Sequence, residues 1–249
     1  MRYIRFQRET EQFGLVEGDI VKVLDKDFLA GGRATGEQIP LSEVKLLAPC
    51  KPAKVVCVGL NYSDHAKEMN LAVPEEPIIF LKPTTAILQP EGYIAYPNIS
   101  RQVDFEAELA IVIGRHAHNV SEKDAADFIF GYTCANDVTA RDLQLKDGQW
   151  TRGKSFDTFL PLGPWIETEL NPGNLEIKLY LNKEVKQHSN TKNFIFPVNF
   201  MISFISEVMT LEPGDVILTG TPHGVGPMKS GDEVVVWIEN IGELKNFVG

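Results

Sequence analysis

Two glutamates one residue apart, at the start of a long apolar run, form the most chemically suggestive pattern in the sequence. They are Glu106 and Glu108 in VDFEAELAIVIG (103–114). Because side chains alternate across a β-strand, the two carboxylates share one face and Ala107 lies opposite. Neighbouring carboxylates repel each other and lose hydration, and a hard divalent cation relieves both costs. A strand end that protrudes into water is equally compatible with this spacing.

A third carboxylate follows on the next predicted strand. Asp137 ends the run GYTCAND (131–137). If this run pairs with Val103–Ile113, Asp137 completes a site of three carboxylates, and waters or substrate oxygens fill the remaining positions. A turn-capping aspartate is the alternative.

Two further residues are candidates for a general base. His65 and Glu68 are three residues apart on a predicted short helix, Ser63–Met69, so they share one face. The carboxylate could orient the imidazole, and the pair with a water could act as a base. Taken alone, these residues favour an ordinary solvated helix face.

Lys154 could bind a carboxylate or an enolate oxygen beside a metal, although a lone lysine is usually a surface residue. We reject a nucleotide-binding interpretation of the triplet Gly153-Lys154-Ser155. The turn TGTPHGVG (219–226) offers amides and hydroxyls that could hold a carboxylate, or it is a plain glycine loop. His116 and His118 lie in a polar turn and are expected at the surface.

Composition narrows the classes of function. The 249 residues carry a net charge of −10 and show no basic stripe, which argues against a nucleic-acid partner. No apolar run reaches the roughly 18–20 residues that span a bilayer, and the N-terminal segment lacks the apolar region of a signal peptide. The three cysteines form no disulfide framework. We therefore expect a cytoplasmic protein with neither a nucleic-acid nor a membrane partner, in which local cations attract any anionic substrate.

The elements that must position these residues are mostly strands. Residues 1–50 form a small β domain, and a proline-containing linker, Ala48–Pro52, leads into residues 51–249. The predicted strands are Tyr3–Phe6, Gly14–Glu17, Ile20–Leu24, Val55–Val58, Ile78–Leu81, Val103–Ile113, Ile129–Ala135, Ile177–Leu181, Val216–Thr219 and Glu233–Ile238. The predicted helices are Ser63–Met69, Ser121–Phe128 and Asn199–Met209. This pattern predicts a β-rich α+β fold, with a roll, sandwich or barrel favoured over a doubly wound sheet.

The chain resembles the fumarylacetoacetate hydrolase family, because several motifs match those of the family and occur in the same order. The resemblance is to its small branch of acylpyruvases, oxaloacetate decarboxylases and 2-hydroxyhepta-2,4-diene-1,7-dioate isomerases. The matching segments are GLNYSDHAKE (59–68), IIFLKP (78–83), VDFEAELAIVIG (103–114), GYTCANDVTARD (131–142), GKSFDTFLPLGP (153–164) and LTGTPHGVG (218–226). The resemblance implies a mixed β-roll catalytic domain over residues 51–249, usually a homodimer. Residues 1–50 resemble the small leading domain of many bacterial members.

The resemblance also implies roles for individual residues. Mg²⁺ or Mn²⁺ would be bound by Glu106, Glu108 and Asp137. His65 and Glu68 would form a water-activating dyad on a loop or lid helix. The implied substrate contacts are Lys154, Arg141, Gln144 and Thr221. Leu60 stands where some relatives carry Arg.

These roles suit a small anionic 2-oxo acid substrate whose enolate is stabilised by the cation and Lys154. The leading hypothesis is a metal-dependent hydrolase that cleaves a C–C bond in acylpyruvate-type diketo acids, such as fumarylpyruvate or acetylpyruvate. An oxaloacetate decarboxylase or a 2-hydroxydienedioate isomerase or tautomerase is the nearest alternative. A non-catalytic metal-binding β module is the third.

Overall fold

Strands make up most of the regular structure in the computed structural model, which describes residues 1–64 and 74–249. In chain order, β1 to β10 are Arg2–Gln7, Glu11–Glu17, Ile20–Leu24, Ala34–Pro40, Lys45–Leu46, Val55–Gly59, Ile78–Lys82, Ile87–Leu88, Tyr93–Ile94 and Val103–Phe105. Strands β11 to β20 are Ala107–Ile113, Ile129–Asn136, Thr139–Ala140, Leu160–Glu167, Glu176–Leu181, Glu184–Asn190, Val216–Leu218, Gly226–Met228, Glu233–Ile238 and Gly242–Val248. The α-helices in these ranges are α1 (Arg141–Asp147), α2 (Thr151–Lys154) and α3 (Val198–Val208).

The strands form three sheets, of which the two larger ones are of mixed direction. The largest has the order β4-β3-β2-β1-β14-β12-β11-β17-β6-β7, and a five-stranded sheet has the order β16-β15-β19-β20-β9. A small sheet, β13-β10-β18, lies beside them. Most neighbours are antiparallel, but three pairs are parallel: β17 with β6, β20 with β9, and β14 with β8. The prediction of a β-rich α+β fold is confirmed.

Strand β11 is buried along its whole length. Leu109, Ile111 and Ile113 pack into a cluster that also contains residues of the five-stranded sheet, while Ala110 and Val112 pack into a second cluster on the other face. This arrangement explains why LAIVI has no polar position: both faces of the strand are covered. The two glutamates at the start of β11 are therefore fixed to a rigid element.

The N-terminal strands continue into the main sheet. Strand β1 pairs with β2 on one side and with β14 on the other, where Arg2 lies opposite Glu167 and Tyr3 opposite Ile166. The backbone of the first fifty residues is therefore hydrogen-bonded to the rest of the chain.

The helix predictions fared unevenly. The predicted Asn199–Met209 is observed as α3, displaced by one residue. The predicted Ser121–Phe128 is wrong: Ala125–Phe128 is a 3-10 turn. The Ser121 hydroxyl donates to the Asp124 carboxylate at 2.7 Å, so these two side chains bond to each other and do not cap a helix. The predicted Ser63–Met69 lies mostly outside the described residues. No helix in the described ranges is long and apolar enough to cross a bilayer.

Candidate metal centre and substrate cleft

The predicted carboxylates converge where one strand is interrupted. Strand β10 ends at Phe105 and β11 begins at Ala107, so the single predicted strand Val103–Ile113 is broken at Glu106. The Glu106 N–H donates to the side-chain oxygen of Asn136, at the end of β12, at 2.9 Å and not to a backbone carbonyl of a neighbouring strand. The turn lets Glu106 approach the end of β12.

The two strands pair as predicted, and this pairing assembles the site. Ala107 lies opposite Asn136 and Glu108 opposite Ala135, so Asp137 follows directly beside the interruption. One oxygen from each of Glu106, Glu108 and Asp137 lies within 4.8 Å of the others, and all three residues are buried. Buried carboxylates at this separation are a suitable oxygen-donor set for a hard divalent cation.

Two buried lysines act on this cluster. The Lys154 Nζ lies 2.7 Å from Glu106 Oε2 and 2.6 Å from Asp137 Oδ2. The Lys82 Nζ donates to the other Asp137 oxygen at 2.5 Å and to the Val138 carbonyl at 3.1 Å. Asp137 is therefore held at both oxygens. Lys82 belongs to the IIFLKP motif, but its role at this cluster was not predicted from the sequence.

Arg141 reaches the same cluster from the start of α1. Its Nε donates to Asp104 Oδ2 at 2.9 Å and its Nη1 to Gln144 Oε1 at 2.6 Å, while Nη2 pairs with Glu106. A guanidinium has five N–H donors, so hydrogens remain on Nη1 and Nη2 for a substrate oxygen. Asp104, buried beneath this arginine, was not among the predicted site residues.

The electrostatics of the three carboxylates differ sharply. Burial raises the pKa of Glu106, but the Lys154 and Arg141 charges outweigh burial and lower this pKa to about 2. For Glu108, burial and the Asp137 and Glu106 charges raise the pKa well above its ordinary value. Within residues 1–64 and 74–249, the one hydrogen bond that Glu108 accepts comes from the Gly220 N–H, at 2.6 Å. Glu108 thus carries poorly compensated negative charge, and the donor set fits a divalent cation.

A cleft of about 280 Å³ opens over the carboxylates. Lys154, Arg141, Gln144 and Thr221 all line it, so the structure brings the four predicted substrate contacts together. Helices α1 and α2, which were not predicted, carry three of them. The helices pack closely because residue 153 is glycine: a Cβ there would lie 2.8 Å from the Gln144 Cβ.

One wall of the cleft is apolar. Phe80 and Trp150 meet edge-to-face with their ring centroids 5.2 Å apart, and the Lys154 Nζ lies 5.3 Å from the centre of the Phe80 ring. Leu60, with φ of 55°, lines the same cleft. This wall limits the access of water to the Lys154 ammonium, which strengthens its electrostatic action.

Thr221 lies on the turn after β17, and this turn is fixed to β11. The Thr219 hydroxyl donates to the Leu109 carbonyl at 2.8 Å, next to the Gly220 bond to Glu108. Gly220 has φ of 93°, a conformation that favours glycine. The predicted carboxylate-binding turn is therefore part of the same site.

The predicted dyad, His65 and Glu68, lies outside the described residues. The chain just before it is firmly held. Asn61 bonds the Thr219 and Phe196 carbonyls, and Asp64 Oδ2 accepts from the Ser189 hydroxyl at 2.5 Å and lies 3.2 Å from His223 Nδ1.

Two motifs set aside in the sequence are also accounted for. Gly148 stands five residues before Gly153, so the segment Gly148–Ser155 does meet the glycine spacing of a P-loop. The context excludes that interpretation, because the segment follows α1 and not a strand, and Lys154 is paired with carboxylates. His116 and His118 are exposed, as expected, and the three cysteines are free.

Comparisons with known proteins identify the family. Residues 54–249 match the family model for the C-terminal domain of fumarylacetoacetate hydrolase, and residues 1–49 match an Rv2993c-like N-terminal domain. The chain is 53% identical to an uncharacterised protein of Methanocaldococcus jannaschii, over 93% of this chain and 95% of that protein. It is 45% identical to the mitochondrial oxaloacetate tautomerase Fahd2a of Rattus norvegicus, over 87% of this chain and 74% of the rat protein.

Solved structures extend the comparison. The 2-hydroxyhepta-2,4-diene-1,7-dioate isomerase of Mycobacterium marinum superposes with a TM-score of 0.93 at 46% identity, covering 100% of this chain and 98% of the other. The fumarylacetoacetate hydrolase of Exiguobacterium antarcticum superposes with a TM-score of 0.90 at 36% identity, covering 100% and 99%.

Proposed function

The chain belongs to the fumarylacetoacetate hydrolase family, whose members are enzymes, and we propose that it is a metal-dependent tautomerase of a small 2-oxo acid. In this proposal it moves a proton at C3 and so interconverts the keto and enol forms. Mg²⁺ or Mn²⁺ is held by Glu106, Glu108 and Asp137. When bound, the cation supplies Lewis-acid polarisation of the 2-oxo group and its neighbouring carboxylate.

The observation that carries the proposal is the position of Lys154. Its ammonium lies between two of the carboxylates and faces the cleft. Burial lowers the pKa of Lys154, but the Asp137 and Glu106 charges outweigh burial and raise the pKa above its ordinary value. Lys154 therefore stays protonated at neutral pH and cannot serve as the base. It is suited to stabilise negative charge on the 2-oxo oxygen when C3 loses its proton.

Other residues of the cleft suit the binding of an anion. Arg141 keeps N–H hydrogens that can be directed at a substrate carboxylate, and Thr221 offers a hydroxyl in the same cleft. The proton itself needs a base, and His65 with Glu68, the dyad that the family resemblance implies, is the candidate. A proton transfer requires no activated water. Beyond the base, it needs groups that stabilise the enolate, and in this proposal residues of the described part of the cleft provide them.

The similar proteins support this choice over hydrolysis. The rat tautomerase and the M. marinum isomerase, at 45% and 46% identity, are both named for rearrangements. The E. antarcticum hydrolase is 36% identical. Hydrolysis of an acylpyruvate, which the sequence placed first, stays the second candidate because the predicted His65–Glu68 dyad would suit water activation.

One substrate panel tests the proposal. The enol of oxaloacetate is added to protein with Mg²⁺ or Mn²⁺, and the loss of enol absorbance is followed beside pyruvate formation. Acetylpyruvate and fumarylpyruvate are assayed for cleavage in parallel. We expect enol loss to accelerate well beyond the buffer rate, and to return to it with EDTA. Cleavage of acylpyruvates without accelerated enol loss would establish the hydrolase, and no turnover at all would contradict both.

Replacement of the predicted dyad separates the two candidates further. His65→Ala should slow acylpyruvate cleavage and proton transfer alike if the imidazole is the base for both reactions. A loss confined to cleavage would assign His65 to water activation alone and would leave the tautomerase without its proposed base.

A further inference from the structure

Gln187 is completely buried behind the wall of the cleft. It lies on β16, where every other residue is exposed or half-buried. An amide is costly to bury unless all its hydrogen bonds are made, and glutamine is seldom fully buried. A buried glutamine on an otherwise solvated hairpin strand therefore has a specific task.

All the principal hydrogen bonds of this amide can be assigned. Its Oε1 accepts from the Ala107 N–H at 2.9 Å, and its Nε2 donates to Thr221 Oγ1 at 2.9 Å and to the Pro222 carbonyl at 2.8 Å. The reverse orientation of the amide would set its nitrogen against the Ala107 N–H and its oxygen against the Pro222 carbonyl. Both contacts would be repulsive, so the orientation is fixed.

This orientation determines what the Thr221 hydroxyl can do. Because Oγ1 already accepts from Gln187, its own hydrogen must be donated elsewhere. In residues 1–64 and 74–249, no group accepts that hydrogen, and Thr221 lines the cleft. We propose that Gln187 is a positioning residue, which commits the Thr221 hydroxyl to donate a hydrogen bond to an anionic oxygen of the substrate. The inference rests on the function proposed above, since it supposes a 2-oxo acid in this cleft.

The same amide also fixes the distance between that donor and the carboxylates. Ala107 lies between Glu106 and Glu108, so Gln187 connects their strand to the turn that carries Thr221. The turn approaches β16 very closely: a Cβ on Gly224 would lie 2.3 Å from the Lys186 carbonyl oxygen. A displacement of Gln187 therefore alters the Thr221 donor and the metal-binding strand together, and the test must separate these effects.

The test uses oxalate, a stable dianion that resembles the enolate of a 2-oxo acid, and measures its affinity for the Mg²⁺-loaded protein by isothermal titration calorimetry. Thr221→Val removes the donor, and Thr221→Ser keeps it. Gln187→Met removes the amide, and Gln187→Glu keeps its size but replaces the donating NH₂ with an oxygen. Thr133→Val, at a buried threonine whose hydroxyl has no partner in the described residues, is the matched control.

A hydrogen bond to a charged group implies that Thr221→Val weakens oxalate binding by roughly 10- to 100-fold. Gln187→Met and Gln187→Glu should each weaken it by a similar factor, whereas Thr221→Ser and Thr133→Val should stay within a few-fold of the wild type. The decisive measurement is the double variant. If Gln187 acts through Thr221, Gln187→Met should add little to the loss already caused by Thr221→Val.

Additive losses in the double variant would overturn the inference, because they would show that Gln187 supports the site without acting through Thr221. The Mg²⁺ affinity of each variant is measured alongside. If the Gln187 variants lose Mg²⁺ binding while the Thr221 variants keep it, the inference would be overturned in the same way. If Gln187→Met does not fold, as judged by circular dichroism, the Gln187→Glu and Thr221 variants carry the test. Wild-type protein that binds Mg²⁺ but not oxalate would instead contradict the proposed function itself.

Discussion

Lys154 and Lys82 bond different oxygens of one carboxylate, Asp137, yet only Lys154 lines the cleft. Lys82 has its whole side chain buried and also donates to the Val138 carbonyl. Two buried cations on one aspartate fix its orientation, since each oxygen has a strong donor. The difference in access implies different roles: Lys82 orients Asp137, whereas Lys154 can also meet a substrate.

Lys154→Met should therefore damage the chemistry selectively. Loss of a preorganised cation at a developing oxyanion lowers kcat by about 10²- to 10³-fold. The measurement is the rate of enol loss at saturating oxaloacetate and Mg²⁺, with circular dichroism to establish the fold. Lys178→Met, which removes a lysine on β15 paired with Glu176, is the matched control and should leave kcat unchanged. An unaltered kcat in Lys154→Met would remove the main support for the enolate-stabilising role.

At the scale of elements, the turn after β17 illustrates how backbone geometry fixes a ligand. Gly220 has φ of 93°, and its N–H is 2.6 Å from Glu108 Oε2. A Cβ at this position would lie 2.8 Å from the Asn61 Cβ and 3.2 Å from the Val58 carbonyl oxygen. The turn can approach β6 and the segment after it only because residue 220 has no side chain.

Gly220→Ala should displace this turn and, with it, Glu108. We expect a loss of stability of about 2–4 kcal/mol, from the left-handed backbone and the overpacking together, and weaker Mg²⁺ binding. Urea unfolding and calorimetry measure the two effects. Gly18→Ala is the matched control, because Gly18 has φ of 58° but no atom within 4 Å of the added Cβ. The control should lose about 1–2 kcal/mol and keep its Mg²⁺ affinity. Equal behaviour of the two variants would contradict the packing argument.

The junction between β1 and β14 leads to a second prediction at the scale of elements, which concerns the carboxylate of Glu167. Glu167 Oε1 accepts from the Met1 ammonium at 2.7 Å and from the Glu169 N–H at 3.0 Å. Burial raises the pKa of Glu167, but these hydrogen bonds outweigh burial and lower it. A lowered pKa in the folded state means that the charged form stabilises the fold above the unfolded-state pKa, and that this stability is lost as pH falls through the folded value.

Glu167→Gln should therefore cost about 1–2 kcal/mol near neutral pH, and the difference from wild type should shrink as pH falls below the ordinary pKa of a glutamate. Urea unfolding at several pH values measures this. Glu169→Gln is the control: Glu169 is exposed and lies 3.5 Å from the same ammonium, so its loss should have little effect at any pH. A difference between Glu167→Gln and wild type that does not depend on pH would refute the charge-based explanation.

The sequence predicted an element well when the pattern that specifies it lies within neighbouring residues, and poorly when it depends on distant ones. The alternation of Glu106 and Glu108, followed by LAIVI, was sufficient to predict a strand covered on both faces and a shared carboxylate face. The interruption at Glu106 could not be predicted, because it depends on the side chain of Asn136, 30 residues away. Short helices such as α1 and α2 were missed because seven and four residues give too little periodicity to recognise.

The site residues that the sequence did not predict were missed for one physical reason. Gln187 stands in EVKQHSN, a polar strand in which nothing distinguishes it from its solvated neighbours. Its importance comes from bonds to Ala107 and Thr221, which are 80 and 34 residues distant. Lys82 likewise meets Asp137 across 55 residues. Tertiary contacts of this range leave no trace in local composition, whereas the ordered motifs sufficed to identify the family.

At the scale of the whole molecule, an acidic protein has to attract an anionic substrate. The net charge of −10 repels a 2-oxo acid at long range, so attraction must come from within the cleft. Lys154, Lys82 and Arg141 are offset there by Glu106, Asp137 and Asp104, and within the described residues no cation pairs with Glu108. A bound divalent cation would reverse this local balance, and its effect should extend to the stability of the entire fold.

Because the cation binds only the folded carboxylate cluster, Mg²⁺ at about 100 times its Kd should add about 2.7 kcal/mol to the free energy of unfolding. For a chain of this length that raises Tm by roughly 5–10 °C, measured by thermal unfolding with KCl matching the ionic strength. Glu106→Gln should lose most of this increase, whereas the exposed Glu122→Gln should keep it. Glu108→Gln should raise the Tm of the metal-free protein, because it removes a buried carboxyl whose charged form burial, Asp137 and Glu106 disfavour, and should lose the Mg²⁺ increase. If Glu106→Gln and Glu108→Gln both responded to Mg²⁺ like wild type, the cation would have to bind outside the carboxylate cluster, and the metal centre proposed for this cleft would be wrong.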